Sequence, residues 1–342
     1  MAQALPRAIS SSHAMRIPRR HFLQLVAAAT LSPTARLARA DDYPSRPITV
    51  IVPFSAGGPL DITGRMIAAK MQQTLGQPIV IENVGGAGGS IGVGRGARAV
   101  PDGYTLTMGI WSTHVVNPVL YDLSYDVEKD FEPIAPITDG PLVICARKDF
   151  PANDLRELIG WLKANPDKAT SSDAGVGSPQ HVFSVLFQQV TGTRFQFVHY
   201  RGGGQAMQDL VTGHVDLSFS DAISALTQVQ GGTIKTYAVM SKNRLPGAPQ
   251  IPSVDEAGLP GFYDSVWSGI WAPKGTPKAI IDKLNVAVVA AVDDPTVRER
   301  LTALGRVLFP REQMTPQVLA TLQRTEIEKW WPIIKAAGIR GE

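Results

Sequence analysis

The sequence predicts an α/β protein of two lobes, and three observations carry that expectation. The chain has 342 residues, more than one hydrophobic core normally serves at about 100–200 residues per domain. The stretch ITVIVPFSAGGPLDITGRMIAAKM, Ile48 to Met71, joins an apolar β run to a helix through a glycine turn. Further strand and helix patterns then alternate, the rhythm of βαβ units.

The first forty residues are set aside before the fold is read. They hold six arginines and no acid, with an apolar run from Phe22 to Leu31 too short to span a bilayer. Arg19-Arg20-His21-Phe22-Leu23-Gln24 resembles a twin-arginine export signal, with general secretion as the other route. Ala38-Arg39-Ala40 has the small-x-small form of a cleavage site, so the expected mature chain begins at Asp41 and works in the periplasm. Without this segment 27 basic face 30 acidic residues, and the formal charge passes from +3 to −3. A mildly acidic chain without basic runs argues against nucleic acid as a partner. The single cysteine, Cys145, lies in an apolar run and reads as a small buried hydrophobe. Beyond the signal no stretch reaches about 18 apolar residues, so a soluble protein is expected.

Ile48 to Phe54 is branched and apolar, as in a strand buried on both faces. Ser55, Ala56, Gly57 and Gly58 turn the chain, and Ile62, Met66, Ile67, Met71 and Leu75 recur at helical spacing from about Asp61. Gly76 can end this helix, and Pro78 to Glu82 begins a second strand. Gly92-Val93-Gly94-Arg95-Gly96-Ala97 fits a loose nucleotide-loop pattern but follows no strand directly, and it reads as a tightly packed small-residue helix. Tyr104 to Ile110 is a third strand, which leads to Trp111, Ser112, Thr113 and His114 at the same sheet edge as the glycine turn.

FEPIAPI and PLVICAR, separated by Thr138-Asp139-Gly140, mark the first crossing between lobes. Asn153 is expected to cap a helix carrying Leu155, Leu158, Ile159 and Leu162 on one face, stopped at Asn165-Pro166. A polar loop then ends at Ser178 as N-cap and Pro179 as first helical residue. The strand Phe195 to Val198 feeds His199-Tyr200-Arg201-Gly202-Gly203-Gly204 and a helix ending at Gly213. Val215 to Phe219 leads to Ser220-Asp221, and Lys235 to Met240 closes the lobe. Lys242 to Gly261 reads as a connecting loop before DSVWSGIWAP returns to the first lobe. The remainder is helical, with Thr276-Pro277, Asp294-Pro295 and Thr315-Pro316 as expected starts and Ile281, Leu284, Val288 and Ala291 as one apolar stripe.

The chain has no G-x-S-x-G elbow, no P-loop lysine, no H-E-x-x-H helix and no paired cysteines. His114, His181, His199 and His214 lack metal-ligand spacing and read as structural; Asp61 reads as a helix-capping carboxylate rather than a general base. No metal, no cofactor and no catalysis are therefore expected. What remains is three small-residue loops, each feeding a helix N-terminus, where unpaired N–H groups and the helix dipole suit an anion. Neither Ser55 to Asp61 nor Ser171 to His181 contains a lysine or arginine, so the expected holding groups are backbone donors, with Arg201 the nearest base.

Ordered motifs along almost the whole mature chain resemble the Bug/TctC family, the substrate-binding proteins of tripartite tricarboxylate transporters. They include RPITVIVPFSAGGPLDITGR, GQPIVIENVGGAGGSIG, PDGYTLTMG, HYRGGGQAMQDLVTGHVDLSF, IPSVDEAGLPGF, WSGIWAPKGTP and EIEKWWPIIKAAGI. The resemblance implies a two-lobed, type II-like periplasmic binding protein, each lobe a doubly wound sheet flanked by helices. Lobe I would comprise 41–141 and 264–342, and lobe II 142–263. The implied activity is capture of a small organic carboxylate between the lobes by a monomer that delivers it to membrane subunits. Presentation of the ligand to a membrane sensor kinase is the alternative, and a secreted hydrolase lacks a visible nucleophile.

Carried onto this sequence, the implied carboxylate-holding loop is Phe54, Ser55, Ala56, Gly57, Gly58, Pro59, Leu60 and Asp61. The opposing loop supplies Ser172, Asp173, Ala174, Gly175, Val176, Gly177, Ser178 and His181. Tyr200, Arg201, Gly202, Gly203 and Asp221 complete the implied site, and Trp111 and Ser112 join it by their place after a strand. Leu60 stands where the family commonly has a hydroxyl residue, and SSDAGVGS departs from a serine-glycine-asparagine-glycine type of loop.

Overall fold

A computed structural model describes residues 43–340; the expected signal and its cleavage site lie outside the described residues. Strand β1 (Ile48–Val52) passes through the glycine turn into α1 (Pro59–Leu75), which begins two residues earlier than Asp61 because Pro59, lacking an N–H, suits the first helical position. Gly76 ends α1 in the left-handed region at φ 70°, where its N–H reaches the Gln72 carbonyl. Strand β2 (Ile79–Asn83), helix α2 (Ser90–Ala97) and strand β3 (Thr105–Ile110) follow. The small residues of α2 serve close packing, since a Cβ on Gly96 would lie 1.9 Å from Thr107 Oγ1.

A π-helical turn (Ser112–Val116) and the short α3 (Asn117–Leu120) precede β4 (Phe131–Asp139). Only Gly140 and Pro141 separate β4 from β5 (Leu142–Arg147), yet the two strands belong to different sheets. The second sheet continues through α4 (Leu155–Ala164), β6 (Thr170–Asp173), α5 (Pro179–Thr191), β7 (Gln196–His199), α6 (Gly203–Thr212), β8 (Leu217–Asp221), α7 (Ala222–Gln230) and β9 (Ile234–Val239). The chain then returns through β10 (Ser268–Pro273), α8 (Lys278–Asp293), α9 (Pro295–Ala303), β11 (Val307–Leu308) and α10 (Pro316–Ala336).

The strand orders are β11-β4-β10-β3-β1-β2 and β7-β6-β8-β5-β9. In the first sheet β1 pairs parallel with β2 and β3, whereas β10, arriving from the second sheet, runs antiparallel to β3 and β4. In the second, β6 pairs parallel with β7 and β8 while β5 is antiparallel to β8 and β9. The carboxyl ends of β1, β3, β6 and β8, the start of β5 and the start of β10 consequently meet along one gap. Ligands of open α/β sheets bind at such carboxyl edges.

Two expected helix starts are corrected. Asp154, not Asn153, caps α4, its carboxylate accepting from the Glu157 N–H at 2.8 Å; Asn153 instead donates through its backbone N–H to the Glu157 side chain at 2.7 Å, closing a reciprocal box. Thr276 does not cap α8, because its hydroxyl donates to the Pro273 carbonyl and the cap position is Pro277. Asp294 and Thr315 cap α9 and α10 as expected.

Besides a core within each sheet layer, an aromatic cluster joins the two. Trp111, fully buried after β3, lies 5.6 Å from Phe183 of α5, and Trp330 of α10 lies 4.9 Å from Trp111 and 5.5 Å from Phe183, centroid to centroid. Ring pairs of this kind add about 0.5–1.5 kcal/mol each to area burial. His114 is likewise a core residue, stacked 3.8 Å from Trp271, and burial pushes its pKa down to about 3, so it is neutral.

Candidate functional site

At the rim on the β1 side, Asp61 organises the glycine turn. Its buried carboxylate accepts from the Gly57 N–H (2.9 Å), Arg65 Nε (2.9 Å) and Asn83 Nδ2 (3.0 Å), and the same amide donates to the Phe54 carbonyl. Burial by itself opposes ionisation, but the bonds from Arg65, Gly57 and Asn83 outweigh it and hold the carboxyl below its ordinary value. The Gly57 N–H is thus committed to Asp61 and is not an anion donor. Pro59 has no N–H, and the Ile62 N–H reaches the Gly58 carbonyl, which leaves the N–H groups of Leu60 and Asp61 at the open first turn of α1.

Across the gap, Asp173 does the corresponding work. Its carboxylate accepts from the Gly175 N–H at 2.8 Å and lies 2.9 Å from His199 Nδ1, while the Gly177 N–H donates to His181 Nδ1 at 3.2 Å. The donor atoms of Asp173, His181 and His199 lie within 4.8 Å of one another. Their chemistry would suit a transition metal, but the Nδ1 lone pair of His181 is already engaged by the loop and His199 is bonded to Asp173. These groups shape the loop. Ser178 caps α5, its hydroxyl accepting from the His181 N–H, and Ser172 donates to the Ala206 carbonyl.

The loops touch. Tyr121 donates to the Val176 carbonyl at 2.6 Å. A Cβ on Gly88 would lie 2.4 Å from that carbonyl oxygen, one on Gly175 would be 3.4 Å from Gly88 N, and one on Gly202 would lie 2.2 Å from Ser55 Oγ. The two sides approach backbone to backbone, which only residues without side chains permit.

Between them lies a cavity of about 550 Å³ including its mouth. Its walls are Phe54, Gly58, Pro59, Leu60 and Thr63 from the first turn and α1, Ala174, Pro179 and Gln180 before and within α5, and Gly203 of α6. Ile110, Thr138, Leu142, Asp221, Val266, Ser268 and Arg306 form the inner end. Three polar atoms of lining residues are buried without a hydrogen-bond partner: Thr63 Oγ1, Gln180 Oε1 and Arg306 Nε. Buried polar atoms are rarely left unmatched; here all three belong to residues of the cavity wall.

Of the residues expected from sequence, Phe54, Gly58, Pro59, Leu60, Ala174, Gly203 and Asp221 line this cavity. Ser55, Ala56 and Gly57 instead face a separate surface groove beside α6 and α7. Asp61, Ser172, Asp173, Ser178 and His181 are not walls, and Gly175, Val176, Gly177 and Gly202 sit at or beside the loop contacts. Trp111 and Ser112 are a correction: both are fully buried, and Trp111 belongs to the aromatic cluster because the chain turns inward into the π-helical turn. Tyr200 donates to Asp209 at 2.5 Å, and Arg201 is exposed with its carbonyl facing Gly85.

The base that reaches the cavity is Arg306, which the sequence reading missed. It follows Gly305 after α9, is only 7 % exposed, and donates through Nη2 to Asp221 Oδ2 at 2.5 Å. Asp221 also caps α7 by accepting from the Ile223 N–H at 2.9 Å. The available signal was one arginine inside the apolar run Leu304 to Phe309, directly behind a glycine.

Residues 63–339 match the tripartite tricarboxylate transporter family receptor family, TctC. The chain is similar to the UPF0065 protein in the TAR-I ttuE-ttuC' intergenic region of Agrobacterium vitis, 37 % identical over 93 % of this chain and 91 % of the relative. Among solved structures it is similar to the periplasmic binding protein BugD, with TM-score 0.85 and 38 % identity over 88 % of this chain and all of that one. MatC from Rhodopseudomonas palustris, solved with bound malate, has TM-score 0.82 and 41 % identity over 85 % of this chain and 100 % of its own. With two sheets facing one cavity, a family match along most of its length and relatives aligned nearly end to end, the chain belongs to the TctC receptor family of periplasmic solute-binding proteins.

Proposed function

We propose that the protein captures a small organic carboxylate in the cavity between the two sheets and delivers it to the membrane subunits of a tripartite tricarboxylate-type transporter. The observation that carries the reading is the convergence on one cavity of the open first turns of α1 and α6 with three wall residues, Thr63, Gln180 and Arg306, that each carry an unpartnered polar atom. One carboxylate group sits at the N–H groups of Leu60 and Asp61, with Gly58 and Gly203 leaving the backbone accessible. Apolar contacts with Phe54, Leu60, Ile110 and Val266 enclose the carbon body. Malate in the related MatC supports this ligand class. The reading includes export to the periplasm, cleavage after Ala40, action as a monomer, and lobes made of 41–141 with 264–342 and of 142–263. No catalytic role is assigned to any residue.

A thermal-shift screen of mono-, di- and tricarboxylates, hydroxy acids and amino acids tests it. A ligand that binds only the folded state stabilises it by about 2.7 kcal/mol at a hundred times its dissociation constant, which appears as a rise of several degrees. A bound structure should then show a carboxylate at the α1 N-terminus. No shift with any acid in the panel overturns the assignment. Separately, intact-mass measurement of periplasmic protein should give a chain starting at Asp41.

A further inference from the structure

The inner end of the cavity carries a charge arrangement that constrains the ligand, given the carboxylate-binding reading above. Asp221 closes β8 in the second sheet, and Arg306 leads into β11 in the first, so their 2.5 Å ion pair crosses the gap. Both side chains are more than nine-tenths buried and both line the cavity. The guanidinium's one charge is matched by Asp221, while its Nε–H has no partner.

Two further acids lie behind this pair. Asp139 accepts from Ser265 Oγ at 2.6 Å and from the Gly140 N–H at 2.7 Å. Asp264 accepts from the Leu142 N–H at 2.9 Å, and burial, with Asp139 and Asp221 as like-charged neighbours, raises its pKa well above the ordinary value. Neither forms an ion pair with a base among the described residues. The inner end is therefore neutral at best and shaded negative.

We infer that the Asp221–Arg306 pair sets the charge selectivity of the cavity. It accepts a monoanionic acid whose far end carries a neutral hydrogen-bonding group, and it excludes a second free carboxylate. A second carboxylate would compete with Asp221 for one guanidinium and leave a buried anion without its own counter-charge. A neutral amide, keto or hydroxyl oxygen can accept from Arg306 Nε without disturbing the pair. The Thr63 hydroxyl and the Gln180 amide remain available to complete its hydrogen bonding. Arg306 and Asp221 are thereby specificity-determining residues, separate from the α1 N-terminus that takes the first carboxylate.

The test compares each linear dicarboxylate of four to six carbons with its own monoamide, succinate with succinamate through adipate with adipamate, by calorimetry at neutral pH. Each pair matches in length and shape and differs in one charge. For the chain length that binds, the wild-type protein should prefer the monoamide at least tenfold. Asp221→Asn, which frees the guanidinium charge, should move the ratio at least tenfold toward the dicarboxylate. If that variant does not fold, Asp139→Asn leaves the pair intact and should move the ratio severalfold in the same direction. Equal or tighter wild-type binding of the dicarboxylate, or a ratio unmoved in the folded variant, overturns the inference and leaves carboxylate capture standing. Failure of every acid and monoamide, together with an empty thermal-shift screen, overturns both.

Discussion

The rim of the cleft and its inner end treat a carboxyl group drawn back from water in opposite ways. At the rim Asp61 receives three donors, one of them the permanent charge of Arg65, and is held ionised. At the inner end the half-buried Asp264 accepts from the Leu142 backbone N–H and faces two further acids, and its pKa is pushed well above the usual carboxylate range. Burial raises the pKa of both; the supply of donors decides the outcome. The rim is a fixed scaffold whose charge shapes a backbone turn, whereas the inner end is short of positive charge and stores electrostatic cost.

The largest expected effect tests the rim. Asp61→Ala removes the acceptor shared by Gly57, Arg65 and Asn83 and frees the turn they hold, at an expected cost of about 2–3 kcal/mol. The figure lies below the sum of three charge-assisted bonds because Arg65 is half-exposed and screened by solvent. The folded-state pKa is depressed, so the stability from Asp61 is present above the ordinary 3.8 and lost as pH falls through the folded value. Urea denaturation should therefore separate variant from wild type at pH 7 and bring them closer near pH 3. A gap of the same size at both values would mean that packing, not charge, holds the turn.

The second effect concerns how the rim closes. Gly88 sits at φ 58°, and an added Cβ would meet the Val176 carbonyl oxygen at 2.4 Å, so Gly88→Ala should hold the two loops apart. Small-angle scattering should show a larger radius of gyration for the variant, and ligand affinity should fall at least tenfold, about 1.4 kcal/mol. Unchanged scattering together with unchanged affinity would mean that the loops yield without consequence.

Asp264→Asn probes the inner end. The wild-type carboxyl keeps its proton in the fold after the unfolded chain has lost it, so its contribution is full below 3.8 and declines as pH rises toward the folded pKa. Asparagine can accept from the Leu142 N–H through Oδ1 without that cost. The variant should be more stable by about 1 kcal/mol at pH 7, with the advantage vanishing near pH 3. A variant less stable at pH 7 would show that the carboxyl geometry, not its charge, matters there.

The same contrast marks what could be read from sequence. The rim is local: a strand, a glycine turn, Pro59 at the first helical position and an acid two residues later are contiguous, and the structure keeps them together. The inner end is assembled from Thr138, Asp221, Asp264 and Arg306, which no periodicity connects. Arg306 was invisible because its partner lies 85 residues away. Trp111 misled for a related reason, since a place at the carboxyl end of a strand fixes the edge but not the direction of the side chain. Asn153 and Asp154 were both able to cap, and only the distance to Glu157 separated them.

The smallest expected effect returns to the cavity wall. Leu60 lines the cavity at the second position of α1, where the resemblance led one to expect a hydroxyl residue. Leucine there favours an apolar ligand body, because a ligand hydroxyl facing it is desolvated without a partner. Leu60→Thr gives back a donor and acceptor while removing apolar contact. Affinity for an unsubstituted acid should fall severalfold, and affinity for the acid with a hydroxyl on the carbon facing residue 60 should rise, so that the ratio moves by up to about tenfold, or about 1.4 kcal/mol. The rim's charge network should be untouched, so the urea midpoint at pH 7 should stay near wild type. Calorimetry on the hydroxylated and plain acids of one chain length decides the point. If both affinities fall together, Leu60 contributes only packing, and preference for the ligand body is set deeper, among Ile110, Val266 and the walls around Arg306.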